Sequence, residues 1–182
     1  MEEGGFLTLE LADRNAISLV NGFRKKQFTP IEVIDSIFKR IEYIEPQLNA
    51  FRFIDVEYAY KMARESAKRW QKSAPLSLMD GIPVAVKDVT ETKGWPTLHG
   101  SLAIDPQVSW DIDAVLVERL RQSGAILIGK TETPEFAWAT TTCSKLHGVT
   151  RNPWNVELTP GGSSGSSSAA VAAGMAVMAT GT

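Results

Sequence analysis

Apolar residues recur at helical spacing through the first third of the chain and then give way to short continuous runs. Residues 8–24 carry Leu9, Leu11, Ala12, Ile17, Leu19, Val20 and Phe23 on one face, which predicts an amphipathic helix. Thr29-Pro30-Ile31-Glu32 is a helix start: Thr29 caps, Pro30 fits the first turn and Glu32 closes a capping box. Ile34, Ile37, Phe38, Ile41 and Ile44 follow, and Pro46 is expected to end that helix. Asp55 is placed to cap a third helix, with Val56, Ala59, Met62, Ala63, Ala67 and Trp70 on its apolar side. Near Ala74-Pro75 the texture changes. Gly81-Ile82-Pro83-Val84-Ala85-Val86-Lys87-Asp88 is a short β-branched run and reads as a buried strand. A Gly/Pro-rich loop spans Gly94 to Pro106, Asp113 is a candidate helix start, and Gly124 ends that helix. Ala125-Ile126-Leu127-Ile128 reads as a second buried strand. Strand, helix and strand in this order predict a parallel pair. From Ala169 to Ala179 a run of small residues predicts a close-packed helix.

These elements place the chain among α/β proteins. Residues 1–73 read as a helical segment, and residues 74–182 as the first part of an α/β core, both in one domain. The chain has 182 residues, 43% apolar and 22% charged, with a net charge of -2. That balance gives no electrostatic reason to expect nucleic acid or a membrane surface as partner. The single cysteine, Cys143, excludes an intrachain disulfide and suits a cytoplasmic setting. His99 and His147 have no metal-ligand spacing, so neither a metal site nor a Ser-His-Asp triad is expected. Met1-Glu2-Glu3-Gly4-Gly5 lacks the basic start and apolar core of a secretory signal.

The candidate chemistry lies in two places. Lys87 ends an apolar strand, where an ammonium must be solvated, paired or neutral. Thr159-Pro160-Gly161-Gly162-Ser163-Ser164-Gly165-Ser166-Ser167-Ser168 is a glycine-led cluster of hydroxyls. Taken separately, each has an ordinary reading. Lys87 could reach water or pair with Asp88. The cluster could be a flexible linker or a phosphate-binding helix start, although no G-x-x-x-x-G-K-[ST] pattern is present.

Four stretches together resemble the amidase signature family, the serine hydrolases that cut amides with a Ser–Ser–Lys triad. They are Gly81 to Asp88, Gly94-Trp95-Pro96-Thr97-Leu98-His99-Gly100-Ser101, Gly124 through Gly129-Lys130-Thr131-Glu132-Thr133-Pro134-Glu135-Phe136-Ala137, and Gly148-Val149-Thr150-Arg151-Asn152-Pro153-Trp154 through the serines to Thr182. The resemblance implies a mixed central sheet flanked by helices on both faces, truncated here relative to the family. It implies Lys87 as general base, Ser163 as a relay preceded by a cis peptide, and Ser164 as a supporting hydroxyl. It implies no metal or organic cofactor and a small-molecule amide as substrate, with a homodimer possible for the full-length protein. Ala137, Trp138 and Ala139 would wall the acyl pocket, with ordinary core as the alternative for Trp138. Trp154 reads as structural. Ser166 stands where the family usually has glycine, and Ser168 where alanine is common.

In the family the cluster leads into G-T-D-x-G-G-S, whose last serine is the nucleophile. Gly181-Thr182 match its first two positions, so the nucleophile is expected about five residues further on, and residues 1–182 are expected to be inactive alone. A glutamine-dependent amidotransferase subunit is the enzymatic alternative. The Gly129 to Trp138 stretch, with Glu132 where such subunits usually carry asparagine, leans toward a stand-alone amidase. A truncated binding or scaffold module is the non-enzymatic alternative.

Overall fold

The computed structural model describes residues 11–182. Helix α1 runs Ala16–Arg24, with the Asn15 side chain accepting from the Ser18 amide. The helix expected over 8–24 is thus broken at residues 13–15, and its first positions lie outside the described residues. Helix α2 runs Pro30–Leu48 and opens on the expected capping box: Thr29 Oγ1 accepts from the Glu32 amide (3.3 Å), and Glu32 accepts from the Thr29 amide (2.8 Å). Pro46 does not end it. A proline removes the hydrogen bond to the carbonyl four residues earlier, and so close to the helix end that loss is small. The stop comes at Asn49, in the left-handed conformation (φ 53°).

Straight after this turn comes strand β1, Phe51–Ile54, where helix alone was expected. Helix α3, Val56–Gln71, starts on Asp55, whose carboxylate accepts from the Tyr58 amide (2.9 Å). Strand β2 is Pro83–Lys87 and β3 is Ile126–Thr131, longer than its apolar run because Lys130 and Thr131 are also buried. Between them lies α4, Val115–Gln122. Asp113 does not cap it; its carboxylate is taken by Arg121 (2.9 Å) and the Lys93 amide (2.7 Å). A small two-stranded hairpin, β4 Cys143–Ser144 and β5 Gly148–Val149, precedes helix α5, Gly165–Ala172. The small-residue run then leaves the helix at Gly174 (φ +69°) and forms β6, Met178–Ala179.

The main sheet has the order β1-β3-β2-β6. β2 lies parallel to β3, as the strand–helix–strand order predicts, and parallel to β6; β1 is antiparallel to β3. The sheet is therefore mixed. Its core joins Val84, Val86, Ile126 and Leu127 with Leu19, Phe23, Ile34 and Ile37 of the first helices and Ala169, Ala170 and Met175 near α5.

One buried carboxylate fixes where β2 begins. Asp80 accepts from Arg69 Nε (2.7 Å), another Arg69 nitrogen (2.8 Å) and the Leu76 amide (2.9 Å), while its carbonyl accepts from Trp70 Nε1 (3.0 Å). Gly124 packs against that carboxylate at φ +83°, and an added Cβ would come within 2.8 Å of it. The Gly81 amide then donates to Gly124 O (3.0 Å), which starts the β2–β3 register.

Candidate active site

Register decides what each face of the sheet carries. Lys87 pairs with Thr131 and Val86 with Lys130, so Lys87 and Thr131 share one face and Lys130 points to the other. On the first face Thr131 Oγ1 meets Ser167 Oγ of α5 at 2.7 Å, which seats the helix on the strand ends. The Lys87 amide donates to Thr180 Oγ1 (2.8 Å) and the Thr180 amide to Ala85 O (3.0 Å), tying in the segment after β6.

The Lys87 ammonium nitrogen is closed off from solvent and meets hydroxyls: Ser163 Oγ at 2.7 Å, Ser164 Oγ at 2.9 Å and Thr182 Oγ1 at 2.7 Å. Sequence separations of 76 and 77 residues are thereby closed to hydrogen-bond distance. Asp88 is not among these partners, so the strand-end ion pair weighed from sequence does not form. Burial pushes the Lys87 ammonium below the ordinary lysine value, toward the neutral amine. A neutral amine has two N–H donors and one lone pair, so among three hydroxyl neighbours one must donate to nitrogen. Ser164 Oγ donates to Thr182 O (3.3 Å) and accepts from the Thr182 amide (3.0 Å). Its proton is committed, which leaves it an acceptor from Lys87 and leaves the Ser163 and Thr182 hydroxyls free to donate.

The serine cluster is not a flexible linker: it packs against residues 140–142 and leads into α5. The Gly162–Ser163 peptide is cis. Gly162 passes so close to the 140–141 backbone that a Cβ would lie 2.8 Å from the Thr140 carbonyl carbon. Thr142 Oγ1 donates to Gly161 O (2.8 Å) and accepts from the Gly165 amide (3.1 Å). Ser164 occupies the cap position of α5 without capping it, because its hydroxyl is turned to Lys87. Ser166 is fully buried and hydrogen-bonded to Thr150 Oγ1 at 2.6 Å, and Thr150 also donates to Asn49 O (2.8 Å). The departure from glycine at 166 is absorbed by a hydroxyl partner. Ser168 donates back to Ser164 O (3.2 Å).

Ala137 closes a short 3₁₀ turn at Glu135–Ala137, and Trp138 and Ala139 follow it. Phe136 and Ala137 are left-handed (φ 50° and 57°), the Phe136 amide donates to His99 O (2.8 Å), and Ser101 donates to Glu135 (2.7 Å). Trp138 is 92% exposed among the described residues, and Trp154 80%. Cys143 is exposed.

Sequence reasoning assigned no role to two buried groups beside this site, Lys130 and Glu132. Lys130 is as buried as Lys87 and donates to Thr90 O (2.8 Å) and Thr97 Oγ1 (2.6 Å), with Asp88 at 3.5 Å. A lysine inside the apolar run Ile126–Thr131 was the available signal, the same one that marks Lys87. Glu132 is buried, accepts from the Thr133 amide (3.0 Å) and lies 3.6 Å from His147 Nδ1; burial pushes its carboxyl up to about 7. No group of three or more acidic, His or Cys side chains able to hold a metal occurs among the described residues. No helix among them is long and apolar enough to cross a membrane.

Known proteins resemble this chain in sequence and in fold. The glutamyl-tRNA(Gln) amidotransferase A subunit of Geotalea daltonii is 40% identical over 174 residues, covering 96% of this chain and 36% of its own length. The protein of the same name from Coxiella burnetii (strain Dugway 5J108-111) is 42% identical over 164 residues, 90% of this chain and 34% of its own. The chain thus spans about a third of the length of these curated relatives. Peptide amidase from Stenotrophomonas maltophilia superposes with a TM-score of 0.84 at 30% identity, over 92% of this chain and 36% of that one. Fatty acid amide hydrolase, at 21% identity and TM-score 0.89, shares the fold. The family described as Amidase matches residues 32–182, and the chain belongs to it.

Proposed function

We propose that these residues supply the base and the relay of a Ser–Ser–Lys amide hydrolase, and that the nucleophilic serine is contributed by sequence downstream of Thr182. The observation that carries this reading is the buried Lys87 nitrogen, with three hydroxyl partners and no carboxylate among its hydrogen bonds. Neutral Lys87 accepts the Ser163 proton as Ser163 accepts one from the attacking serine. The new C–O bond forms, the tetrahedral intermediate collapses, and the C–N bond breaks as the proton returns through Ser163 to the leaving amine or ammonia. Water then cleaves the acyl-enzyme by the same path to give the carboxylate. Backbone N–H groups before the nucleophile would hold the oxyanion. Ala137, Trp138 and Ala139 are proposed to line the acyl side. Support comes from Thr140 and Thr141, directly beyond them, which lie against Gly162.

Two assays test this reading. In the full-length protein, Ser163→Ala is expected to lower kcat for amide hydrolysis by about 10²-fold or more, the usual worth of a positioned proton-transfer group. Residues 1–182 expressed alone are expected to show no turnover. Turnover in that chain that Ser163→Ala abolishes would instead make a serine of the cluster the nucleophile. A second reading, release of ammonia from glutamine for transfer, is favoured by relatives at 40–42% identity named as amidotransferase subunits. Glutaminase activity that needs partner subunits would select it.

A further inference from the structure

Two lysines are fully buried on neighbouring strands, and they differ in what faces them. Lys87 meets hydroxyls. Lys130, on the opposite face, sits 3.5 Å from the Asp88 carboxylate and donates to Thr90 O and Thr97 Oγ1. Asp88 is the residue directly after Lys87 and is itself fully buried. Besides Lys130, its carboxylate has the Leu98 amide at 3.2 Å. The main chain holds it in place, with its amide on Thr131 O (3.0 Å) and its carbonyl accepting from His99 (3.1 Å).

We infer that Lys130 is a positioning residue for the base: it holds the Asp88 carboxylate on the far face of the sheet and balances its charge, so that Lys87 stays without a counterion. The inference rests on the base assignment above. An unbalanced carboxylate one residue from Lys87 would favour its ammonium form through the sheet, by less than the about 1–3 units that an opposite charge in direct contact exerts. Each unit removes nine-tenths of the neutral amine at a pH below its midpoint. The ion pair cancels that field. Burial pushes Lys130 down to about 8, and Asp88 pulls it back up; burial pushes Asp88 up, and Lys130 pulls it down. Arg52 also acts on Asp88, and Glu91 on Lys130. Lys130 also reaches both Thr90 and Thr97, so the same ammonium closes the loop that leaves β2.

The test is the pH dependence of kcat/KM in the full-length protein, read together with the 13Cε titration of Lys87. Lys130→Met is expected to move the acid limb and the Lys87 midpoint upward by no more than about 1 unit, at most a tenfold loss of kcat/KM on that limb. Asp88→Asn is expected to leave the limb in place or move it down, and the double variant to return it to the wild-type position. A role in loop packing alone would lower activity without this opposite-sign pattern. A limb unmoved in folded Lys130→Met overturns the inference. Should that variant not fold, a limb that rises in Asp88→Asn overturns it equally. The base assignment fails separately, if Lys87 can be replaced with turnover retained.

Discussion

Lys87→Met in the full-length protein is expected to lower kcat/KM for amide hydrolysis by about 10³-fold, within the range that general-base groups contribute. Methionine keeps an unbranched apolar stem, so the strand can still pack, and what is lost is the lone pair. Lys87→Arg is expected to be as inactive, because a guanidinium does not deprotonate at accessible pH. The wild-type profile carries the sign of the assignment. A protonated Lys87 cannot accept, so activity is lost as pH falls through its midpoint and is fully present above it. Burial lowers that midpoint from the ordinary lysine value, which brings the active form toward neutral pH. Steady-state kinetics across pH, with circular dichroism to verify folding, check both statements. A Lys87→Met protein with near-wild-type turnover at neutral pH would remove the base from the mechanism.

Much of this site is legible in the sequence for a physical reason: its signals are local and chemically costly. A lysine closing the apolar run from Ile82 to Val86 demands an explanation, and so does a run of five serines within Ser163 to Ser168 interrupted by a single glycine. The capping box at Thr29 and the cap at Asp55 are equally readable, because caps act within four residues. What escapes is decided by distant partners. Asp113 has the right residue type for a cap, but Arg121 and the Lys93 amide claim its carboxylate. Phe51-Arg52-Phe53-Ile54 is too short to announce a strand, and it becomes one because β3 offers an unpaired edge. The run after Ala172 has helical composition, yet pairing with β2 at Val84 and Ala85 draws Met178 and Ala179 into the sheet. Lys130 carries the same local signal as Lys87, a lysine closing an apolar run, but its partners Asp88, Thr90 and Thr97 are scattered and form no cluster like the serines that draw attention to Lys87.

Removing the Arg69–Asp80 pair is expected to give the largest loss of stability, and the two single variants should not be equal. Asp80 has no solvent exposure, whereas the Arg69 side chain keeps 26%. Arg69→Met therefore strands a carboxylate with only the Leu76 amide as partner, while Asp80→Ala leaves a cation that still reaches water. Breaking a buried pair from the side that orphans the buried charge costs about 3–5 kcal/mol. Asp80→Ala should cost less, about 2–3 kcal/mol, from the lost charged hydrogen bonds and the gap left beside Gly124. The Arg69→Met/Asp80→Ala double variant should cost less than the sum, since neither partner remains to be stranded. Urea unfolding of the full-length proteins, compared at constant m, gives all three values. Equal losses in the two single variants would mean that water reaches Asp80. Because Gly81 donates to Gly124 just beyond this pair, the register of β2 against β3 depends on it. That register sets the face on which Lys87 meets Ser163, so stability here and proton transfer at the far end of the same strand are expected to fail together as denaturant is raised.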